Sequence, residues 1–219
     1  TTITGPSLVH RGDTVVLSTY WHDNYQLGYA ILGVNSSGSW SNVSTIKINA
    51  TDDYANFSYQ FPTNTTLGNV GWRQYANDSF GNTNLTPIQT VDVWGWAMIA
   101  SAAASPASIQ VTNASSMQCL INDANTSTPL TNYNVTFWMK NSTMSSYQYL
   151  GSNLTGTSGW ANFSRAYATA DTYSLLCNIT NNASMRYNAS AANTGTATLN
   201  VVSGSDASPV DNAILGYQW

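Results

Sequence analysis

The placement of N-glycosylation sequons, Asn-x-Ser/Thr with x other than proline, constrains the fold of this chain more than any other feature. The 219 residues hold sixteen sequons, whereas 25 Asn and 54 Ser plus Thr placed at random would give about six. A glycan has to stand in solvent, so each acceptor marks an outward-facing position. The excess therefore indicates an exported glycoprotein. The acceptors are Asn35, Asn42, Asn49, Asn56, Asn64, Asn77, Asn84, Asn113, Asn125, Asn134, Asn141, Asn153, Asn162, Asn178, Asn182 and Asn188.

The middle residue of many sequons is apolar. Successive side chains of a β-strand point to opposite faces, so an outward acceptor turns this residue toward a core. Such middle residues are Val43, Phe57, Val135, Leu154, Phe163 and Ile179. The same alternation predicts further buried residues at Tyr59, Phe61, Phe137, Met139, Leu175 and Cys177. No sustained helical period competes with these strands, which favours an all-β chain of two sandwiches.

One phrase occurs twice. Residues 158–164 are Ser-Gly-Trp-Ala-Asn-Phe-Ser, and residues 37–44 are Ser-Gly-Ser-Trp-Ser-Asn-Val-Ser. Each Ser-Gly predicts a turn, because glycine adopts positive φ without steric cost. Alternation then places Trp160 and Trp40 on the outer face beside an acceptor. We predict that the two copies form equivalent units in which each Trp lies under the first sugars.

Charged residues are unusually scarce. They make up 7% of the chain, glutamate is missing altogether, and the net charge is -4. Neutralising phosphates requires a basic surface, so nucleic acid is excluded as a partner. A bare surface with 42% hydrophobic residues in the chain and so few charges would be poorly hydrated. We expect the N-glycans to supply the hydration.

The only cysteines are Cys119 and Cys177. An isolated pair in an exported chain predicts a disulfide, and a loop of this length would stabilise the fold by about 4 kcal/mol. Two buried free thiols are the alternative. A metal site built from this pair with His10 and His22 has unsuitable ligand spacing, and we predict no cofactor.

No run approaches the roughly twenty apolar residues that cross a bilayer, so we expect no membrane span in this chain. The best candidate, residues 98–104, is too short and too polar. No secretory signal peptide opens the sequence, and we therefore expect a mature, processed form.

Few residues of this chain could act as general acids or bases. With two His and no Glu, general acid and base groups would have to come from Asp or His. Asp52-Asp53 is an adjacent carboxylate pair, but neighbouring side chains on a strand point apart. We predict a solvated turn there and a protein that is not an enzyme.

Two Asp/Asn clusters contain the oxygen ligands that calcium prefers. One joins Asp78 to Asn77, Asn82 and Asn84, and the other joins Asp123 to Asn122 and Asn125. Several of these Asn are acceptors, so turn hydrogen bonding is the favoured role and a calcium site the weaker alternative.

Two motifs suggest adhesion or sugar binding. Arg11-Gly12-Asp13 matches an integrin-type motif, although Gly-Asp is ordinary turn chemistry and we favour the turn. Eight Trp and thirteen Tyr provide rings for stacking on sugars. Many of them fall at alternating strand positions, where core packing is the default, so carbohydrate binding is kept as an alternative.

Residues 94–108, Trp-Gly-Trp-Ala-Met-Ile-Ala-Ser-Ala-Ala-Ala-Ser-Pro-Ala-Ser, form a compositional break without sequons. Ala/Ser/Pro composition is typical of a linker, and a short helix ended by Pro106 is an alternative. The predicted division is a sandwich over 1–94, a linker over 95–108, a sandwich over 109–203 and a tail over 204–219.

Several phrases resemble the immunoglobulin-like modules of archaeal cell-surface proteins. In the first half they are Trp21-His22-Asp23, Ser37-Gly38-Ser39-Trp40, Gly71-Trp72-Arg73-Gln74-Tyr75-Ala76-Asn77-Asp78 and Gly81-Asn82. In the second half, Thr157-Ser158-Gly159-Trp160-Ala161, with Phe163 and the later Tyr173, resembles a turn and strand of bacterial and archaeal immunoglobulin-like surface repeats. The resemblance implies two tandem immunoglobulin-like β-sandwich domains at a cell surface and brings no catalytic residues.

Residues 1–34, 85–112 and 191–219 contain no acceptor. A glycan cannot lie inside a tight interface, so protein contacts are expected here. The predicted subunit interface is Trp94, Trp96, Met98, Ile214, Leu215, Tyr217 and Trp219. The tail alternates as a strand with one apolar face, and it either adds to a sheet edge of another copy as a donor strand or folds back on its own domain.

These observations predict an extracellular structural glycoprotein whose main partner is a second copy of itself. Head-to-tail contact of this kind does not close and yields a pilus-like filament, or a surface layer. The alternative is an adhesin or glycan-binding module of a larger surface protein, which would bind other surface proteins or host glycans.

Overall fold

The computed structural model describes residues 2–204, so the predicted interface residues Ile214, Leu215, Tyr217 and Trp219 lie outside the described residues. A single 3-10 turn, Ala183–Met185, is the one helical element in this range. The strands are β1 (Ile3–Thr4), β2 (Leu8–His10), β3 (Thr14–His22), β4 (Leu27–Val34), β5 (Ser41–Lys47), β6 (Asp52–Gln60), β7 (Gly68–Asp78), β8 (Thr83–Leu85), β9 (Gln89–Ser105), β10 (Ser108–Gln110), β11 (Ala114–Asp123), β12 (Asn134–Lys140), β13 (Gln148–Leu154), β14 (Trp160–Ala166), β15 (Asp171–Ile179), β16 (Tyr187–Ala189) and β17 (Thr194–Val202).

The strands form two β-sandwiches of the same topology. In the first, the sheet β1-β3-β6 faces a sheet ordered β2-β9-β7-β4-β5. In the second, β9-β11-β14 faces β10-β17-β15-β12-β13. In each sandwich a short strand, β2 or β10, pairs in parallel with the last strand, and the remaining pairs of these two sheets are antiparallel. This is the immunoglobulin-like architecture, and the predicted fold class is confirmed.

Strand β9 belongs to both sandwiches. Its first part pairs with β7 and closes the first sandwich, and its second part pairs with β11 and opens the second. Neither the linker predicted over 95–108 nor a helix is present over residues 95–105, because this stretch is strand. Its small Ala and Ser side chains suggest a linker by composition, but residues 97–105 pair with β11 as an edge strand of the second sandwich. The strand ends at Ser105, immediately before Pro106.

The buried apolar residues form two separate clusters. The first spans positions 9–93 and contains Trp72, Phe57 and Phe61 among its largest buried side chains. The second spans positions 97–201 and contains Tyr133 and Phe137. The second cluster thus begins within the predicted linker, and the exact domain boundaries stay a prediction.

The alternation argument identified core positions on the central strands. Phe57, Phe61, Val135, Phe137, Met139, Leu175, Cys177 and Ile179 are all buried, and Tyr59 and Phe163 are partly buried against the cores. It was wrong for Val43 and Leu154, which are 39% and 53% exposed. They lie on β5 and β13, the outer strands of the larger sheets. The facing sheet has only three strands, so it does not extend over these edges.

The repeated phrase does not form a repeated structural unit. Trp40 precedes β5, an edge strand paired with β4, whereas Trp160 begins β14, which pairs with β11. Strands β5 and β14 hold different positions in the two sandwiches. A turn followed by an outward acceptor suits more than one edge of this fold, so similar sequence recurs without structural equivalence.

Two different devices join the sheets at the centres of the two sandwiches. In the second, the predicted disulfide links Cys119 of β11 to Cys177 of β15. In the first, buried Gln74 of β7 donates through Nε2 to the carbonyls of Leu17 and Ala55 at 3.1 and 3.2 Å. Its Oε1 accepts from Nε1 of Trp21 at 3.2 Å. A polar network in one sandwich thus stands where the other has a covalent bond.

Candidate functional surfaces

None of the sixteen acceptor asparagines is buried. The exposed ones are Asn42, Asn49, Asn56, Asn64, Asn84, Asn113, Asn134, Asn153 and Asn162. The partly buried ones are Asn35, Asn77, Asn125, Asn141, Asn178, Asn182 and Asn188. They occur on both sheets of both sandwiches and in the loops, while β9 carries none. Glycans at most of these positions would cover both sandwiches, while Asn125 and Asn188 lie at the contact between the two halves.

The second surface is the contact between the two sandwiches, which we call the junction. It consists of Arg11, Asp123 and Tyr187 at its centre with His10, Trp96, Asp92 and Arg186 around them. Oδ2 of Asp123, whose side chain is 1% exposed, accepts from Nη1 of Arg11 at 2.5 Å and from the Tyr187 hydroxyl at 2.7 Å. Its Oδ1 accepts from the backbone N–H groups of Asn125 and Thr126. The carboxylate therefore has both a charge partner and full hydrogen bonding, as a buried charge requires.

The buried phenol of Tyr187 is part of the same contact. Burial raises the pKa of its hydroxyl above the ordinary value, and the hydrogen bond donated to Asp123 raises that pKa further. The ring packs on Gly95 so closely that an added Cβ would lie 2.4 Å from Cε1 of Tyr187. Glycine at this point of β9 is thus required by close approach, since a side chain would push the ring out of the junction.

Arg11 belongs to the Arg-Gly-Asp motif and is not displayed to solvent. Its side chain is 12% exposed, and its Nε donates to the carbonyl of Thr65 at 2.6 Å in addition to the contact with Asp123. Asp13 accepts from the backbone N–H of His10 at 2.8 Å, which is turn chemistry. The integrin-type interpretation fails because the cation that it needs is held in the junction.

The outer part of the junction contains aromatic and charged pairs. The rings of His10 and Trp96 stack with centroids 4.1 Å apart, and Nδ2 of Asn188 lies 3.0 Å from Nε2 of His10. Arg186 and Asp92 form an ion pair at 2.8 Å that is more exposed than the pair at the centre. Parallel pairing of β16 with residues 95–97 of β9 completes the contact.

The described part of the predicted subunit interface is partly buried within the chain. Trp94 donates through Nε1 to Asp92 at 2.7 Å, and Trp96 stacks on His10. Met98 lies beside them on β9 and is also partly buried. Contacts of these three residues with another subunit stay a prediction.

Both Asp/Asn clusters use their carboxylates in turns, which is the role that the sequence favoured over a calcium site. Asp78 accepts from the backbone N–H groups of Phe80 and Asn82 and from Nδ2 of Asn82. These bonds, the Asn82 side chain first, lower the pKa of Asp78. Asp123 is occupied by the junction. Across residues 2–204, no three His, Cys, Asp or Glu side chains come together as metal ligands, and the adjacent Asp52 and Asp53 are exposed.

A groove on the outer face of the first sandwich was missed by the sequence analysis. It has a volume of about 680 Å³ and is lined by Tyr29, Ile31, Asn42, Thr45, Tyr75, Ala76, Asn77 and Thr83. Beside it the Arg73 guanidinium is stacked between Trp40 and Tyr75, at 4.4 and 4.8 Å from the ring centroids. Aromatic residues at outward positions of β4 and β7 indicate this groove. They were overlooked because aromatic residues on strands were assigned to the core by default.

The sequence analysis also missed the junction. Where charged residues are this scarce, each one is a candidate for a specific contact, and this could have pointed to it. The chain has only six Lys plus Arg, and Arg11 and Arg186 both serve the junction.

Among the described residues, no helix has the length and hydropathy of a membrane span.

No protein-family model matches this chain, and a search of curated proteins finds no match. Among solved structures, the D0-D1 domain of intimin is 14% identical, with 91% of this chain and 97% of that chain covered and a TM-score of 0.33. Fibronectin(III)-like modules of Clostridium thermocellum CbhA are 10% identical, with coverages of 100% and 98% and a TM-score of 0.33. The Yersinia pseudotuberculosis adhesin InvE is 13% identical, with coverages of 91% and 58% and a TM-score of 0.39. Similarities this low indicate no function for this chain.

Proposed function

We propose that this chain is a structural subunit of an extracellular, heavily N-glycosylated filament assembled head to tail. The observation that carries the proposal is the set of sixteen acceptors, none of them buried, on a surface with very few charges. The disulfide between Cys119 and Cys177 supports an oxidising, extracellular location, where such bonds persist. The resemblance to archaeal surface modules makes an archaeal source part of the proposal.

The junction supports a load-bearing role. Tandem domains joined by a flexible linker bend under force, whereas here one strand runs through both sandwiches and a buried ion pair ties them together. Such a connection holds the two halves in one orientation. A filament subunit needs this property because each bend would accumulate along the polymer.

Assembly in this proposal uses the segments without acceptors. The apolar face of the tail, Leu215, Tyr217 and Trp219, would add as a donor strand to a sheet edge of the next subunit, near Trp94, Trp96 and Met98 on β9. Because donor and acceptor surfaces differ, the contact repeats without closing.

The test compares the full chain with a variant that carries Leu215→Asp, Tyr217→Asp and Trp219→Asp, with Gln218→Asp as the matched control. Electron microscopy of glycosylated protein should show filaments for the full chain and the control and monomers for the triple variant. Monomers in all three samples contradict the filament. Equal filaments in all three contradict the donor role of the tail, and a folded-back tail predicts that same result.

A second candidate function, an adhesin or glycan-binding module, is favoured by the aromatic groove. Tyr29 is 48% exposed beside Tyr75, an arrangement suited to stacking on a sugar. A glycan array probed with the protein should show binding that is lost in Tyr75→Ala and retained in Tyr149→Ala, another exposed tyrosine. Absence of binding on the array argues against this function.

A further inference from the structure

The groove has a regular construction. On the outer face, β5, β4 and β7 place side chains in rows across the sheet: Thr45 beside Ile31 beside Tyr75, and Asn42 beside Gly33 beside Arg73. Tyr29, two residues before Ile31 on β4, also lines the groove. The surface thus offers apolar rings along its floor with an acceptor asparagine at one side.

Two side chains that line the groove, those of Tyr75 and Asn42, approach each other next to it over Gly33, where Trp40 also lies. A Cβ added there would lie 3.2 Å from Cε2 of Tyr75, 3.6 Å from Oδ1 of Asn42 and 3.7 Å from Cε3 of Trp40. The acceptor side chain therefore extends over the sheet. Stacking of Arg73 between Trp40 and Tyr75 holds these two rings in place.

One donor of Arg73 is unpaired among the described residues. Its Nε is buried without a hydrogen-bond acceptor, and it takes part in no ion pair within residues 2–204. A buried donor without an acceptor is unfavourable, and the stacking of the guanidinium on two rings offsets part of that cost. Sugar hydroxyls and ring oxygens are acceptors, and the C–H faces of a sugar ring are apolar.

We propose that the N-glycan attached to Asn42 lies back along this groove, with its sugar rings on Tyr29 and Tyr75. The inference rests on the proposed glycosylation and adds a binding site for the glycan. Asn42 is exposed and stands on the groove wall. The other acceptor on the wall, Asn77, has its amide fixed because its Oδ1 accepts from the backbone N–H of Tyr29 at 2.7 Å.

The dimensions favour a glycan over a second protein chain. A volume of about 680 Å³ falls among sites that hold small molecules. A protein partner would have to displace a glycan whose attachment point is part of the wall. The groove glycan would cover exposed aromatic surface and fix the outer edge of the first sandwich.

The experiment measures solvent access to the groove in the glycosylated protein. Hydroxyl-radical footprinting with mass spectrometry reports the modification rates of Tyr29 and Tyr75 in the native chain, in Asn42→Gln and in Asn64→Gln. Asn64 is an exposed acceptor in the turn between β6 and β7 and serves as the matched control. We expect both rates to rise several-fold in Asn42→Gln and to stay unchanged in Asn64→Gln. Tyr149, 51% exposed on β13, should react equally in all three.

A thermal-melting cycle provides the second measurement. Asn42→Gln should lower the melting temperature when Tyr29 is present and have no effect in a Tyr29→Ser background, because the two changes remove the same contact. Tyr29 is 48% exposed, so the serine variant is expected to fold.

The outcomes separate this site from the proposed function. Equal footprints in native and Asn42→Gln monomers overturn the groove site, as does an unmodified Asn42 in a protein glycosylated elsewhere. Protection that exists only in filaments identifies a second copy as the occupant and also overturns it. A native protein without any N-glycan overturns the proposed function itself.

Discussion

At the scale of single residues, Arg11 and Asp123 determine how the two sandwiches are held. They are separated by 112 positions, and each was predicted to serve a local turn. Asp123 does serve one, through the N–H groups of Asn125 and Thr126, but its second oxygen is directed at a cation from the other sandwich. A residue with a satisfactory local role can therefore carry a long-range one.

Replacing Arg11 by methionine should destabilise the protein by about 3 kcal/mol, because it leaves the buried Asp123 carboxylate without its charge partner. The control is Arg186→Met, which removes the more exposed pair with Asp92 and should change stability by at most about 1 kcal/mol. Denaturant unfolding measures both. Equal effects of the two substitutions would contradict the importance assigned to burial.

We expect Asn125 to be unmodified in the folded protein while Asn64 carries a glycan. Nδ2 of Asn125 lies 3.4 Å from the carbonyl of Arg11, inside the junction, and its Oδ1 is buried. A glycan there would have to open the contact between the sandwiches. Glycopeptide mass spectrometry measures occupancy at both sites. High occupancy at Asn125 would mean that the junction opens or forms after glycosylation.

At the scale of elements, the two sandwiches differ in the contact that joins their facing sheets, which links β3 and β7 in the first and β11 and β15 in the second. The same topology is stabilised by Gln74 and its hydrogen bonds in the first sandwich and by a disulfide in the second. Tyr173 on β15 adds a hydrogen bond from its hydroxyl to the carbonyl of Thr169 at 3.1 Å. This bond resembles the tyrosine corner of immunoglobulin folds.

Replacing both Cys119 and Cys177 by alanine should destabilise the second sandwich by about 4 kcal/mol, since the unfolded chain regains the entropy of a loop closed over 58 positions. Denaturant unfolding, followed by proteolysis of each half, should show the first sandwich still protected. Reductant should reproduce the loss in the native chain and have no effect on the double variant. A double variant as stable as the native chain contradicts the assigned role.

At the scale of the whole molecule, the proposed N-glycans would have to hydrate a surface that carries few charges. Ten acidic and six basic residues are spread over 219 positions, while exposed apolar side chains include Phe80 at 73% and Val16 at 56%. Such a surface has little charge with which to hydrate itself or repel other copies.

Protein produced without N-glycosylation should therefore aggregate at concentrations where the glycosylated form stays dispersed. Light scattering across a concentration series measures this, and circular dichroism with an intact-disulfide mass serves as the control for correct folding. Equal solubility of the two folded forms would remove the hydration role assigned to the glycans.

The sequence by itself determined most of the strands and the buried faces of the central ones, because these follow from side-chain alternation along one segment, as at Phe57 or Ile179. It also predicted the disulfide, because the chain holds a single isolated pair of cysteines. It did not determine which strands lie at a sheet edge, so Val43 and Leu154 were assigned to the core. Composition also could not reveal that residues 95–105 are part of a strand, which pairs with β11 over residues 97–105. The junction of Arg11 with Asp123 and the groove between Tyr29, Asn42 and Tyr75 arise only when distant strands come into register. Contacts of that kind depend on tertiary packing, and no local pattern encodes them.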